Sequence, residues 1–333
     1  MKTEPMIFSM LLHLSMNMWG DKDSRLNLWE DKLNADMDVW RKITDAMPSF
    51  GFNSVLIDVG NSLRYESHPE LAIEGSLSKD DFKKELDRLR SIGLEPMPKL
   101  NFSGGHDAWL KDWSRMLGTE KYRRTAAELI EEVSELFGRP RFFHLGMDEE
   151  DAHNQRALQF QCVRRGEILW RDVYSLFDSA EKAGTTPWIW SDFYWHHPEE
   201  FMEKMPKSVL QCCWNYGPIA SVPSKRHPEL RMESLNDPSV HVEGAKPNMA
   251  DIGILEFDKA GFTQTLCCSN YTCFESSDRT MEVGRDYLDQ KRLAGYFTAP
   301  WGGLQKPDEF YHLDAMQRFW SAKKKYYPEL CQG

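Results

Sequence analysis

Apolar residues in this chain fall into eight short runs separated by longer amphipathic stretches. The runs at Met6–His13, Ser54–Val59, Glu95–Leu100, Phe142–Met147, Pro187–Ser191, Val209–Cys213, Thr263–Ser269 and Ala294–Ala299 have the length and composition of buried strands. Between them, apolar positions recur at three and four residues over Asn34–Ser49, Lys79–Ser91, Glu120–Phe137, Val163–Ala183, Pro198–Met205, Met249–Lys259, Ser277–Arg292 and Pro307–Lys325, which is helical spacing. Gly51, Gly93, Gly138 and Gly184 each follow a helical stretch and start the turn into the next strand. Eight strand-helix units in 333 residues predict an α/β fold, a single (β/α)8 TIM barrel over residues 1–333. A doubly wound sheet is the rival, but it would need a Gly-rich phosphate loop after its first strand, where this chain reads Asn17-Met18-Trp19-Gly20-Asp21. Residues 215–248, rich in Pro and charge, predict an enlarged loop after the sixth strand.

In a barrel, chemistry gathers at the carboxyl ends of the strands. There the chain places His13, Asn17 and Trp19, then Asp58, Asn61 and Arg64, then Asn101, Ser103 and His106. The later ends supply Trp190, Asp192 and Trp195, then Trp214, Asn215 and Tyr216, then Asn270 and Tyr271, and finally Trp301. The fourth end is the most unusual, because Phe142-Phe143-His144-Leu145-Gly146-Met147 runs straight into Asp148-Glu149-Glu150. Clustered carboxylates repel one another and are a poor choice for stability but a good one for proton transfer. The alternative is that Glu149, Glu150 and Asp151 form the acidic first turn of the next helix. His13 and His144, inside apolar strands, read as satisfied interior histidines more readily than as functional groups. Trp170, Trp188 and Trp320 read as core, whereas Trp214 and Trp301 stand where strands break into loops and read as pocket walls.

The net charge of -11 speaks against nucleic acid or an anionic membrane as partner, since both need a basic face. Twelve tryptophans suit a pocket for sugar rings or cations. The seven cysteines include the adjacent pairs Cys212-Cys213 and Cys267-Cys268, whose side chains on a strand point to opposite faces, so free thiols and a reducing, cytoplasmic setting are expected. There is no C-x-x-C pair, no zinc spacing, no signal-peptide layout at Met1–Pro5 and no apolar run long enough to span a membrane. Neither a metal nor a cofactor is expected; the vicinal His196-His197 pair is poorly arranged to ligate one ion. The number of copies that assemble is not legible.

His144-Leu145-Gly146-Met147-Asp148-Glu149 resembles the His-x-Gly-Gly-Asp-Glu motif of glycoside hydrolase family 20, the β-N-acetylhexosaminidases, with Met147 in place of the second glycine. Gly93–His106 is similar to that family's third strand and loop, Gln211-Cys212-Cys213-Trp214 to its sixth-strand Gln-x-Trp, and Ala299-Pro300-Trp301 to its eighth-strand tryptophan. The resemblance implies substrate-assisted retaining hydrolysis of a β-linked N-acetylhexosamine, with the sugar's own acetamido oxygen as nucleophile. It implies Asp148 as the group that orients the acetamido nitrogen and Glu149 as general acid and base. It further implies Tyr271 against the acetamido carbonyl and Trp190, Trp214 and Trp301 as walls. His13, Asn17, Trp19, Asp58, Asn101, His106, His144 and Asp192 complete the expected substrate-binding set. Three departures stand out: no arginine near Pro5–Ser9, Gly303 where the family has an acid, and a barrel that begins almost at Met1 without the family's small amino-terminal domain.

Two other functions fit the same residues. One is a glycosidase with two protein carboxylates, Glu149 paired with Asp58, Asp192 or Glu256, acting on a sugar without an acetamido group. The other is a carbohydrate-binding barrel without turnover. A metal-dependent reading would draw on His13, Asp58, His106 and Asp148.

Overall fold

The computed structural model describes residues 5–22, 28–217 and 249–331. Eight strands, β1 (Ile7–His13), β2 (Ser54–Asp58), β3 (Glu95–Lys99), β4 (Phe142–His144), β5 (Thr186–Trp190), β6 (Leu210–Trp214), β7 (Gln264–Cys268) and β8 (Leu293–Thr298), form a closed barrel in chain order. Every neighbouring pair is parallel, and pairing of Ile7–Met10 with Gly295–Thr298 shuts the ring. A closed ring removes the doubly wound alternative. The enlarged loop expected at 215–248 lies, from residue 218 onward, outside the described residues.

Strands buried on both faces need apolar residues on both, which is why they appear as unbroken runs. One set, including Ile7, Leu11, Leu56, Met97, Trp188, Leu210, Cys212 and Phe297, packs together as a cluster of its own inside the barrel. The alternate positions, such as Phe8, Met10, Leu12, Val55, Ile57 and Ile189, pack against the helices. Trp188 spans the interior and donates its indole N–H to Thr265 Oγ1 at 3.0 Å.

The helices are α1 (Met37–Ala46), α2 (Lys79–Ser91), α3 (Glu120–Leu136), α4 (Gly166–Lys182), α5 (Phe193–His196), α6 (Pro198–Lys204), α7 (Met249–Lys259), α8 (Ser276–Tyr287) and α9 (Glu309–Tyr326). Side-chain caps set several starts. Asp36 accepts from the backbone of Asp38 and Val39, Ser78 from Asp81, and Thr119 from Tyr122. The helix expected from Asn34 therefore begins only after its cap at Asp36. The one expected over Ser277–Arg292 stops at Tyr287, because Leu288 is extended and Asp289 accepts from Lys291 N to open a turn. Among the described residues no helix is long and apolar enough to cross a membrane, and all seven cysteines are free thiols.

The fourth strand departs most from expectation. Regular β4 ends at His144, three residues before Met147. Gly146 and Met147 turn left-handed, at φ 76° and 72°, as does Glu149 at φ 54°. Gly146 has no substitute there, since a Cβ would overlap the Asn101 side-chain oxygen. Glu149, Glu150 and Asp151 are consequently not the first turn of a helix; α4 starts at Gly166.

Buried charge holds this bend. Arg164, almost fully buried, pairs with Glu150 and reaches Asp172 at 3.2 Å, and it donates to the Phe102 carbonyl at 3.0 Å. Glu150 also accepts from Gly104 N at 2.9 Å. Arg123 secures the other oxygen of Asp172 at 2.9 Å. Arg164 thus ties the loops from β3 and β4 to α4, and Arg123 extends the network to α3.

Arg164→Met should lower unfolding free energy by about 3–5 kcal/mol in urea titration, because Glu150 would stay buried without its cation and Asp172 would keep only Arg123. Met147→Gly tests the bend. Glycine relieves ~1–2 kcal/mol of left-handed strain. It also removes a buried side chain that packs beside Leu169, Val173 and Ile189, a loss of about 2–5 kcal/mol. A net loss of stability is expected; a more stable glycine variant would show that strain dominates.

Candidate active site

At the carboxyl end of the barrel, Trp19, His106, Asp148, Glu149, Trp190, Trp214, Tyr216, Tyr271 and Trp301 surround a pocket of about 490 Å³. The strand ends deliver these side chains to one point because the barrel converges its loops there. Four aromatic rings crowd around Trp301, with centroids at 6.3 Å for Trp19, 6.2 Å for Trp190, 6.1 Å for Tyr216 and, stacked from below, 5.2 Å for His13. Trp214 stacks on Tyr216 at 4.9 Å and touches Trp195 at 4.4 Å. Tyr271 stands at the rim, 61% exposed.

Charge is confined to the opposite side. His106 places Nε2 3.3 Å from Glu149 Oε2 and Nδ1 3.8 Å from Asp148 Oδ1. Burial by itself would lower the ring's pKa, but Asp148 and Glu149 outweigh it and raise it to about 8. Asp148 is buried and accepts from Asn101 Nδ2 at 2.8 Å, and its carbonyl accepts from the Ser103 hydroxyl. Glu149 keeps 36% of its side chain exposed to the pocket, while its backbone N–H donates to Asp192 Oδ2 at 2.7 Å. The other oxygen of Asp192 accepts from the Trp214 indole at 3.1 Å. Burial, and then Asp148, push the Asp192 carboxyl up to about 7 against those two hydrogen bonds.

Of the residues expected to bind substrate, Trp19, His106, Trp190, Trp214, Tyr271 and Trp301 line the pocket together with Asp148 and Glu149. His13, Asn17, Asp58, Asn101, His144 and Asp192 do not. Asn17 spends both ends of its amide on the Glu30 backbone, at 2.8 Å each. Asp58 is enclosed between Lys99 and His13; burial would raise its pKa, but the Lys99 ammonium and the His13 ring hold it down to about 2. Burial depresses His13 despite that contact, and burial with Lys99 nearby depresses His144 further. His144 sits under the pocket between Trp188 and Trp190, 4.8 Å from each, and accepts from Gly146 N. Asn101 and Asp192 act on the pocket through Asp148, Glu149 and Trp214. Tyr216 was legible only as a strand-end residue; its position two past Trp214 is the signal that places it in the wall.

The metal set of His13, Asp58, His106 and Asp148 is not gathered: Asp58 is bound to His13 and to Lys99, away from the other two. Among the described residues one group brings three potential ligand atoms within 4.8 Å of one another, that of His106, Asp148 and Glu149. His196-His197 forms no such group. Trp170 and Trp188 are core, while Trp320 is half-buried.

No protein-family model matches the chain. It is 24% identical over 201 residues to hexosaminidase D of Bos taurus, an alignment covering 53% of this chain and 58% of that protein. The chain thus spans well under two thirds of the curated relative it matches. Among solved structures it is similar to the β-N-acetylhexosaminidase of Bacteroides fragilis NCTC 9343, with TM-score 0.59 and 11% identity over 99% of this chain and 72% of that one. The GH20 β-N-acetylhexosaminidase of Streptomyces coelicolor A3(2) gives TM-score 0.59 and 12% identity, covering 93% of this chain and 63% of that one. A β-hexosaminidase of Streptomyces plicatus, solved with GlcNAc, gives TM-score 0.60 and 13% identity, covering 97% and 68%. In fold, this chain is a (β/α)8 barrel similar to the barrels of these β-N-acetylhexosaminidases.

Proposed function

We propose that the chain is a glycoside hydrolase that releases β-linked N-acetylhexosamine by substrate-assisted retaining catalysis. The observation that carries this reading is the pair of adjacent carboxylates, Asp148 and Glu149, facing an aromatic pocket from one side with His106 between them. No other carboxylate lines that pocket among the described residues. Double displacement or inversion needs a second carboxyl across the sugar from the acid. Asp58 is locked beneath the floor, Asp192 is buried behind Glu149, and Glu256 is ion-paired with Lys259 on α7 at 2.7 Å. With no protein nucleophile opposite among the described residues, the acetamido oxygen of the substrate is the group that attacks the anomeric carbon in this reading.

In this scheme Glu149 gives its proton to the leaving oxygen as the C–O bond breaks, and the acetamido oxygen closes a five-membered ring onto the anomeric carbon. Asp148, held by Asn101, receives the acetamido N–H and faces the positive charge of that ring. Water then opens the ring, with Glu149 taking its proton. His106 keeps the Glu149 carboxyl aimed and balances the negative charge that appears when the proton leaves. Aromatic walls suit the apolar faces of a pyranose. The names of the similar hexosaminidases support the substrate class. No arginine lines the pocket among the described residues, and Gly303 stands where that family has an acid; both support a different grip on the sugar hydroxyls from that family's usual one.

Aryl N-acetyl-β-glucosaminide and N-acetyl-β-galactosaminide should be cleaved, and the plain glucoside and galactoside spared. Glu149→Gln should lose ~10²–10⁴-fold in rate, the scale of general acid catalysis. A Glu149→Gln protein that keeps sugar affinity, from a wild type that cleaves none of the four, would sink the enzyme in favour of a binding barrel.

His106 makes stability depend on pH. Its folded pKa of about 8 lies above the ordinary 6.5, so the protonated ring contributes fully below pH 6.5, and the contribution disappears as pH rises through 8. The stability gap between wild type and His106→Asn should shrink by about 2 kcal/mol from pH 6 to pH 9. A gap independent of pH would show that the ring is neutral.

A further inference from the structure

Asp192, in the turn after β5, is buried and does not line the pocket, yet both of its oxygens accept from residues that do. Oδ2 accepts from the Glu149 backbone N–H at 2.7 Å, and Oδ1 from the Trp214 indole N–H at 3.1 Å. We infer that Asp192 is a positioning residue, which locks the general acid and the aromatic wall to one another and does so only as an ionised carboxylate. The inference rests on the functional reading above, with Glu149 as the acid and Trp214 as a wall.

The two bonds reach opposite sides of the site. Glu149 belongs to the loop after β4 and stands at φ 54°, a left-handed conformation that is unfavourable for a residue with a Cβ. A hydrogen bond to its own N–H opposes return to an extended backbone, and so fixes the direction in which its carboxyl leaves the chain. Trp214 closes β6 and stacks on Tyr216 at 4.9 Å, so its indole edge sets the pitch of two wall rings. The turn that carries Asp192 is itself secured. Ser191 N donates to the Cys212 carbonyl at 3.0 Å, Ser191 Oγ to Gln211 Oε1 at 3.1 Å, and Trp195 N to the Asp192 carbonyl at 2.9 Å. Trp195, from the same turn, meets the Trp214 ring at 4.4 Å. Asp192 is thus a fixed point against which acid and wall are both set.

The partners dictate its charge state. A backbone N–H and an indole N–H can only donate, and an ionised carboxylate meets each with an acceptor. A carboxylic acid keeps one strong acceptor, while an Asn amide keeps one oxygen and turns a donor toward the other N–H. Either way one bond is weakened or lost, so Asp192→Asn imitates the protonated acid at every pH. The titratable groups that face the carboxyl are Asp148 and Glu149 from the loop after β4 and the Cys212 thiol from β6. Burial, and then Asp148, raise its pKa to about 7 against the two hydrogen bonds. The lock therefore closes as pH rises through 7 and opens as it falls.

The test follows kcat/KM of wild type and Asp192→Asn on an aryl N-acetyl-β-glucosaminide from pH 5 to pH 8.5. His106 and Glu149 are common to both proteins, so their own titration cancels in the ratio. At pH 8.5 the variant should be slower by about 10–100-fold, the loss of one hydrogen bond to a charged group. By pH 5 it should lie within about twofold of wild type, since wild type is then protonated too. A ratio that does not change with pH overturns the inference, because a carboxyl needed only for folding leaves the same deficit throughout. A second readout needs no turnover. The Trp214 indole N–H resonance, identified by its absence from Trp214→Phe, should shift about a midpoint near pH 7 in wild type and stand still in Asp192→Asn. A resonance that ignores pH in wild type, or that still moves in Asp192→Asn, overturns the inference. If wild type cleaves no N-acetylhexosaminide, the functional reading fails, and the lock between Glu149 and Trp214 stands or falls on this titration.

Discussion

The left-handed turn of the main chain after His144 is the constraint on which the pocket depends. A strand that continued to Met147 would send alternate side chains to opposite faces, and Asp148 and Glu149 could not both face the mouth. Bending at Gly146, Met147 and Glu149 places the two carboxyls side by side. The bend is costly for residues with a Cβ, so neighbours must hold it. Asn101 and Ser103 hold Asp148, Asp192 holds the Glu149 backbone, and Arg164 holds Glu150. Three separate segments converge on three consecutive residues.

Beneath that bend the barrel mouth is divided by polarity. His13, Asp58, Lys99 and His144 lie in register on β1 to β4, each paired with the next across the strands. Lys99 and Asp58 neutralise one another where neither could be buried alone. On the far half, Trp190, Trp214 and Trp301 replace charge with rings. A sugar has apolar faces and polar edges, and this division presents a surface to each. His106 joins the halves, near Trp19 on one side and the two acids on the other.

Much of the architecture was legible because period and composition report burial directly. Eight apolar runs became eight strands, and Lys79–Ser91 and Met249–Lys259 became helices with the bounds expected from the pattern alone. Errors arose where a tertiary partner replaced a local one. Leu145 and Met147 look like strand because they are apolar, yet the backbone turns left-handed at Gly146 and Met147, where Asn101 leaves no room for a side chain on Gly146. The acids Glu149–Asp151 look like a helix start, yet Glu149 and Glu150 are held by His106, Asp192 and Arg164, all distant in sequence. Asn17, Asp58 and His144 look like site residues because they stand at strand ends, and hydrogen bonds to Glu30, Lys99 and Gly146 draw them away from the pocket.

By itself the sequence determined the barrel, the order of its units, and the strand ends where polar and aromatic residues gather, because these follow from local periodicity and from which residues water rejects. It also carried the motif around Asp148 and Glu149. Tertiary structure decided which strand-end residues reach the pocket and which only support those that do, and why Tyr216 joins them. Those outcomes depend on distances between residues 40 or more positions apart, such as Glu149 and Asp192, and no local pattern encodes a distance across a closed barrel.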